Sequence, residues 1–168
     1  MHVPRLEQAL AALLAGQRAA ALGTLDAQAG TPFVSMVPFA VDAAGGCLVL
    51  HVSGLAAHTG NMAAQPAVSL LVTAPQEPGA PVHDLARVTL EGTAGTPEPG
   101  SDAWRSARAA YLVRFPDVEP MTELPDFRFV LDRSIDFQLG IGNEFIVLLL
   151  CEEDLTDHIR HVFGILGR

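Results

Sequence analysis

Apolar positions along the chain switch between two periods. Near the start, Leu6, Leu10, Leu13 and Leu14 recur at helical spacing. That spacing predicts an amphipathic helix over 4–15, with Pro4 in its first turn and Gly16 as its stop. After Arg18 the runs become strand-like. Segments 18–26, 33–42 and 47–53 predict three strands, separated by a turn at 27–32 and a hairpin loop at 43–46. Pro38 inside the second segment implies an edge or a bulge, because proline cannot donate to a ladder. A short helix follows over 55–65 and ends at Pro66. Segments 67–73 and 85–94 predict two more strands, with a Pro/Gly-rich loop at 75–81 between them. Ser101 or Asp102 is suited to cap a helix over 103–114. An irregular stretch over 115–126 leads to two further strands, 127–139 and 145–151. The tail, 154–166, reads as an amphipathic helix with Leu155, Ile159, Val162 and Phe163 on its apolar face.

The pattern therefore predicts a mainly β fold with flanking helices. Its six or seven strands follow one another through short connections, which favours antiparallel pairing. Strands at this spacing suggest a barrel, closed or partly closed. We expect one domain over 1–168, with a core over 18–151.

Composition narrows the partners. The chain of 168 residues is 49% hydrophobic and only 17% charged, with a formal net charge of −9. A typical soluble domain carries roughly 25% charged residues. Every basic residue is arginine, and no lysine occurs. An acidic chain without lysine argues against nucleic-acid binding, which needs a basic face. The apolar run 145–151 is far short of the about 20 residues of a membrane span and reads as a buried strand. The start lacks the pattern of a secretory signal. Cys47 and Cys151 match no zinc or redox spacing, so we expect buried thiols in a reducing cytoplasm.

Candidate chemistry concentrates in His51-Val-Ser-Gly-Leu-Ala-Ala-His-Thr-Gly-Asn61, where a strand runs directly into a helix. The first amides of a helix lack internal partners and carry partial positive charge, so a phosphate fits there. Ser53 is suited either to cap that helix or to donate to a phosphate oxygen. His158 and His161 share a face of the tail helix and suggest a metal or haem edge. A solvated polar face is the better reading, since two imidazoles without a third ligand make a poor site. No catalytic triad, phosphate loop, dinucleotide fingerprint or metal site is apparent.

The order of segments carries more than any one of them. Arg18 to Asp26, Gly30 to Ala40, Ser53 to Met62, Pro66 to Val72 and Arg87 to Gly92 together resemble the pyridoxamine-phosphate-oxidase-like FMN-binding split barrels. Tyr111-Leu-Val-Arg-Phe-Pro, Leu124-Pro-Asp-Phe-Arg-Phe and Gly140-Ile-Gly142 bring the chain nearest the haem-iron-utilisation branch. The resemblance implies a homodimer of six-stranded split barrels, with FMN at the subunit interface and a small-molecule substrate. It implies that Ser35, Met36, Val37 and Pro38 line the flavin ring. It implies that Val52, Ser53, Leu55, His58, Thr59 and Asn61 surround the phosphate, and that Arg87 lies near the cofactor. Arg18 is a further candidate for the phosphate, or else a solvated strand end. Arg87 is equally open to an ion pair with Glu91 or Asp84. The chain departs from the family at Gly60, where a basic residue is common, and at His58, where the oxidases carry lysine. The glycine-rich segment near Gly140 also lacks the usual aromatic. Two functions follow as expectations. One is an FMN-dependent oxidoreductase acting on a small or haem-like substrate; the other is a non-catalytic flavin or haem binding module.

Overall fold

In the computed structural model, residues 3–141 and 144–148 are described, with side chains over 8–132. Helix α1 spans Val3–Gly16 and is followed by β1 (Ala19–Leu25), β2 (Pro32–Asp42) and β3 (Cys47–Ser53). Helix α2 (Ala57–Ala64) leads to β4 (Ala67–Thr73) and β5 (Arg87–Gly95). Helix α3 (Asp102–Arg114) precedes β6 (Phe127–Ile141) and β7 (Glu144–Leu148). Single 3-10 segments occupy Val82–Asp84 and Pro116–Glu123. The expected tail helix with His158 and His161, and the expected positions of Cys151 and Gly142, lie outside the described residues.

All pairings are antiparallel. The sheet runs β3-β2-β1-β4-β5-β6-β7, and β3 pairs again with β6. Six strands thus close into a barrel, and β7 adds to the C-terminal half of β6. This is the antiparallel barrel with flanking helices that the pattern predicted.

The interior is aliphatic. Leu22, Phe39, Leu50, Leu70 and Val88 are fully buried, and Leu10, Leu13 and Leu14 of α1 join the same cluster. A second layer lies outside the barrel, where Ala107, Tyr111 and Phe115 pack on Val49, Phe129 and Leu131. Strand β3 therefore has both faces covered, and six of its seven residues are buried. That explains its unbroken apolar run, because alternation survives only where one face meets water.

Local chemistry sets the ends of the elements. Ser101 accepts from the Trp104 amide at 3.2 Å, capping α3 as its sequence predicts. The Asp42 carboxylate accepts from the Gly45 amide at 2.9 Å in the β2–β3 turn. A Cβ at position 45 would meet that carboxylate at 2.5 Å, and Gly46 takes φ of +62°. Both glycines are thus required by the turn. Arg114 donates to the carbonyls of Leu14 and Ala15 at 3.1 and 3.0 Å, and also to that of Gln17. A cation there satisfies the orphaned carbonyls of α1 and fastens it to α3. Strand β2 pairs with β1 over Pro32–Pro38 and with β3 only from Phe39 onwards. Pro38 therefore sits on a true edge, as expected. Among the described residues, no helix is long and apolar enough to cross a membrane.

Candidate functional site

The splay of β2 from β3 makes the site. β3 pairs with β6 from Leu48 onwards, and beyond its last pairing with β2, Leu50 opposite Phe39, it continues along β6 alone as far as Ser53 opposite Phe127. Over Pro32–Pro38, among the described residues, β2 has no strand on that side. Helix α2 lies at this opening, in contact with β1 and β2.

The β3–α2 crossing is fastened from within. The Thr59 hydroxyl donates to the Ser53 carbonyl at 2.6 Å, and the Ala56 amide donates to it at 3.2 Å. The Gly54 amide donates to the Asp126 carbonyl. Ser53 Oγ accepts from the Leu55 amide at 3.1 Å and lies 3.4 Å from the Asp126 carboxylate. The N-cap of α2 is Ala56, which makes no side-chain cap. Ser53 thus closes the turn ahead of the helix instead of capping it.

Two of the expected site residues meet directly. Ser35 Oγ and His58 Nδ1 are 3.0 Å apart, both half-buried. Burial alone pushes the His58 imidazole below the usual histidine value. Leu55 is 89% exposed beside this pair in sequence, and Met36 is 70% exposed on the opposite face of β2.

Other expected residues have structural duties. Asn61 is buried; its Nδ2 donates to Thr24 Oγ1 at 3.1 Å and its Oδ1 accepts from the Ala27 amide at 3.0 Å. Thr59 is buried with its hydroxyl committed to Ser53. Val37 and Val52 are core residues, so only their backbone is available to a ligand. Arg18 is turned towards α3: it donates to the Arg114 carbonyl at 3.1 Å and stands 4.6 Å from the Phe115 ring centroid. Arg87 donates to the Leu85 carbonyl at 3.0 Å, at the start of β5 and opposite Thr73 and Gly140.

One basic residue beside the crossing was not anticipated. Arg128 is exposed on β6, paired in register with Val52. Its guanidinium lies over Gly54, where a Cβ would come within 2.8 Å of Nη2 and 3.0 Å of the Asp126 carbonyl. Glycine is needed there for close approach. Among the described residues Arg128 makes no ion pair or side-chain hydrogen bond. Only the β3–β6 register reveals it, because the two strands are remote in sequence. His51, in contrast, points to the outer layer, with ring centroids 4.7, 5.1 and 5.5 Å from Phe129, Phe127 and Tyr111.

The outer face of the β2-β1-β4 sheet is apolar and bare. Val34 and Met36 are 67% and 70% exposed, next to Leu25 and Leu71. A groove of about 480 Å³ runs across it between the β1–β2 tip and the facing ends of β4 and β5. Isolated exposed apolar residues are ordinary, but a contiguous set marks a contact surface.

The profile of the pyridoxamine 5'-phosphate oxidase family matches residues 6–133. A comparison with curated proteins gives no match. Among solved structures, the chain is similar to a haem-binding protein from Mycobacterium smegmatis, at 26% identity and TM-score 0.76. That likeness covers 93% of this chain, which spans about 60% of the Mycobacterium protein. The haem storage protein HutZ from Vibrio cholerae is also 26% identical, with TM-score 0.71, over 83% of this chain and 99% of that one. ChuZ from Campylobacter jejuni shares the fold at 18% identity and TM-score 0.74, over 84% of this chain and 58% of that one.

Proposed function

The chain belongs to the pyridoxamine 5'-phosphate oxidase family, and from that footing we propose that it is an FMN-dependent oxidoreductase acting on a small or haem-like substrate. The observation that carries the proposal is the opening between β2 and β3. It combines an unpaired strand edge with a pair of polar side chains at Ser35 and His58, and on the β6 side of β3 the exposed Arg128 guanidinium lies over Gly54. These features suit FMN. A phosphate monoester wants charge-assisted donors, for which the Arg128 guanidinium and a ring N–H of His58 are suited. A flavin ring has a polar edge and apolar faces; the unpaired edge of β2 offers backbone groups to the first, and exposed Met36 and Leu55 suit the second.

When bound, FMN supplies the electron chemistry itself. The chain's residues hold the phosphate, present backbone groups to the ring and exclude water. None need act as a nucleophile, which agrees with a site lacking a triad. The exposed Val34, Met36 and Leu71 argue for a homodimer that covers this face and completes the cofactor site. A stable interface buries about 800 Å² per partner.

The haem-binding and haem-storage relatives favour a second reading, in which the same opening holds haem without turnover. The absorbance of freshly purified protein separates the two. Flavin bands, or uptake of added FMN, support the first. A Soret band with no FMN uptake supports the second and overturns the first. Arg128→Ala is expected to weaken FMN binding by about 1–3 kcal/mol, the range for a charge-assisted partner.

A further inference from the structure

The resemblance groups Ser35 with Met36, Val37 and Pro38 as one flavin-lining segment, but the strand divides them. Side chains alternate along β2, with Met36 and Pro38 exposed and Ser35 and Val37 on the other face. Ser35 and Met36 therefore present their side chains to opposite faces of β2. Its side chain meets His58 on α2 instead, Oγ to Nδ1 at 3.0 Å.

We propose that Ser35 is a positioning residue: it holds His58 by Nδ1, so that Nε2 is the atom presented to the phosphate monoester of the ligand. The proposal rests on the FMN reading for the identity of that monoester. The two ring nitrogens of histidine are distinct, and the bond made by one decides what the other offers. A serine hydroxyl both donates and accepts. In the proposed arrangement it donates to Nδ1 of the neutral ring, leaving N–H on Nε2, and accepts from Nδ1–H once the ring is protonated. With the hydroxyl in that role, Nε2 carries a proton in both states. A donor then stands at the position where, by the resemblance, the oxidases carry lysine, in a chain that has none. Protonation adds charge to a hydrogen bond already in place, so the monoester binds more tightly as pH falls towards its own second pKa of about 6.

Among the described residues, few other charges bear on His58. Strand β1 carries none, nor does β2 over Pro32–Pro38. Asp26, in the turn beyond β1, accepts from the Gln28 and Ala29 amides. Asp126 and Arg128 flank the β3–β6 side of the crossing.

The test is nitrogen-resolved NMR of the His58 ring in the full chain, as wild type, Ser35→Ala and Ser35→Thr, with titrations of inorganic phosphate and FMN at pH 6 and pH 8. Wild type should hold the proton on Nε2, and phosphate should shift that nitrogen. Ser35→Ala should mix the tautomers and weaken binding of both ligands roughly three- to tenfold, the worth of one hydrogen bond. Ser35→Thr should restore both. An unchanged tautomer and unchanged affinity in Ser35→Ala overturn the inference. If phosphate shifts Nε2 but FMN does not bind, the inference stands and the flavin reading falls. If FMN binds while Nε2 is unmoved by phosphate or FMN, the flavin reading stands and the inference falls.

Discussion

Asn61→Ala cuts the side chain that ties α2 to the β1–β2 turn. Two hydrogen bonds are lost, to Thr24 Oγ1 at 3.1 Å and from the Ala27 amide at 3.0 Å. The orphaned groups fare differently. Ala27 is exposed, so its amide finds water. Thr24 is buried but still donates to the Phe33 carbonyl at 3.4 Å, so it loses only an accepted bond. At about 1 kcal/mol per net hydrogen bond, the expected loss is about 2 kcal/mol. That is a large share of the about 5–15 kcal/mol that holds a domain together. In a chain of this size it lowers Tm by about 4–8 °C. Denaturant unfolding followed by fluorescence of Trp104, the single tryptophan, reads the change. Trp104 packs edge-on against Phe129 with centroids 5.8 Å apart, so its emission reports the outer layer. The midpoint should fall with the slope unchanged, as for a pure stability effect. A variant with the wild-type midpoint but weakened FMN binding would refute the reasoning, because Asn61 would then serve the ligand and not the fold.

Burial pushes the imidazole of His51 below its ordinary value, so the folded state favours the neutral ring. The stability this ring contributes is full above the unfolded value of about 6.5 and is lost as pH falls through the lower folded value. His51→Phe should therefore flatten the fall in denaturation midpoint between pH 7 and pH 5, and an unaltered pH profile would count against it. Tyr111 is the single tyrosine, and burial, reinforced by Asp117 and partly offset by Arg18, pushes its phenol up to about 12. Titration at 295 nm should show no phenolate near pH 10 while the fold persists. If the exposed face of β2 carries the proposed dimer interface, wild type should be a dimer by light scattering and Met36→Glu a monomer with loss of FMN uptake; a monomeric wild type, or an unchanged dimer in the variant, would refute that placement.

The fold was legible because its signals are local. Turn glycines at 45 and 46, the cap at Ser101 and the spacing of short strands each depend on a few neighbouring residues. Barrel closure was less so, since β3 and β6 meet through register alone. The burial of His51 was hidden for a related reason. It sits on the outer side of β3, and only α3 turns that side into a second interior. A histidine in an apolar strand does not announce which face will be covered.

The candidate site was legible as a place but not as a wiring. The run from Ser53 to Asn61 marked a strand-to-helix crossing, because that geometry is encoded in adjacent residues. Which of its polar side chains face outward depends on partners far away. Thr24 and Ala27 draw Asn61 inward, Ser53 holds Thr59, and β2 delivers Ser35 to His58. Charge followed the same logic. With lysine absent, each arginine mattered, and the structure engages most of those described. Arg105 pairs with Asp102, Arg108 bridges Glu119 and Glu123, and Arg114 fastens α1. Arg18 donates to the end of α3, and Arg87 to the Leu85 carbonyl. Arg128 is left beside Gly54, on a strand whose neighbour could not be read from spacing. Under the proposed reading, anion recognition among the described residues falls to the Arg128 guanidinium beside Gly54 and to the His58 imidazole held at Ser35, and it is strand pairing remote in sequence that places each of them at the β3–α2 crossing.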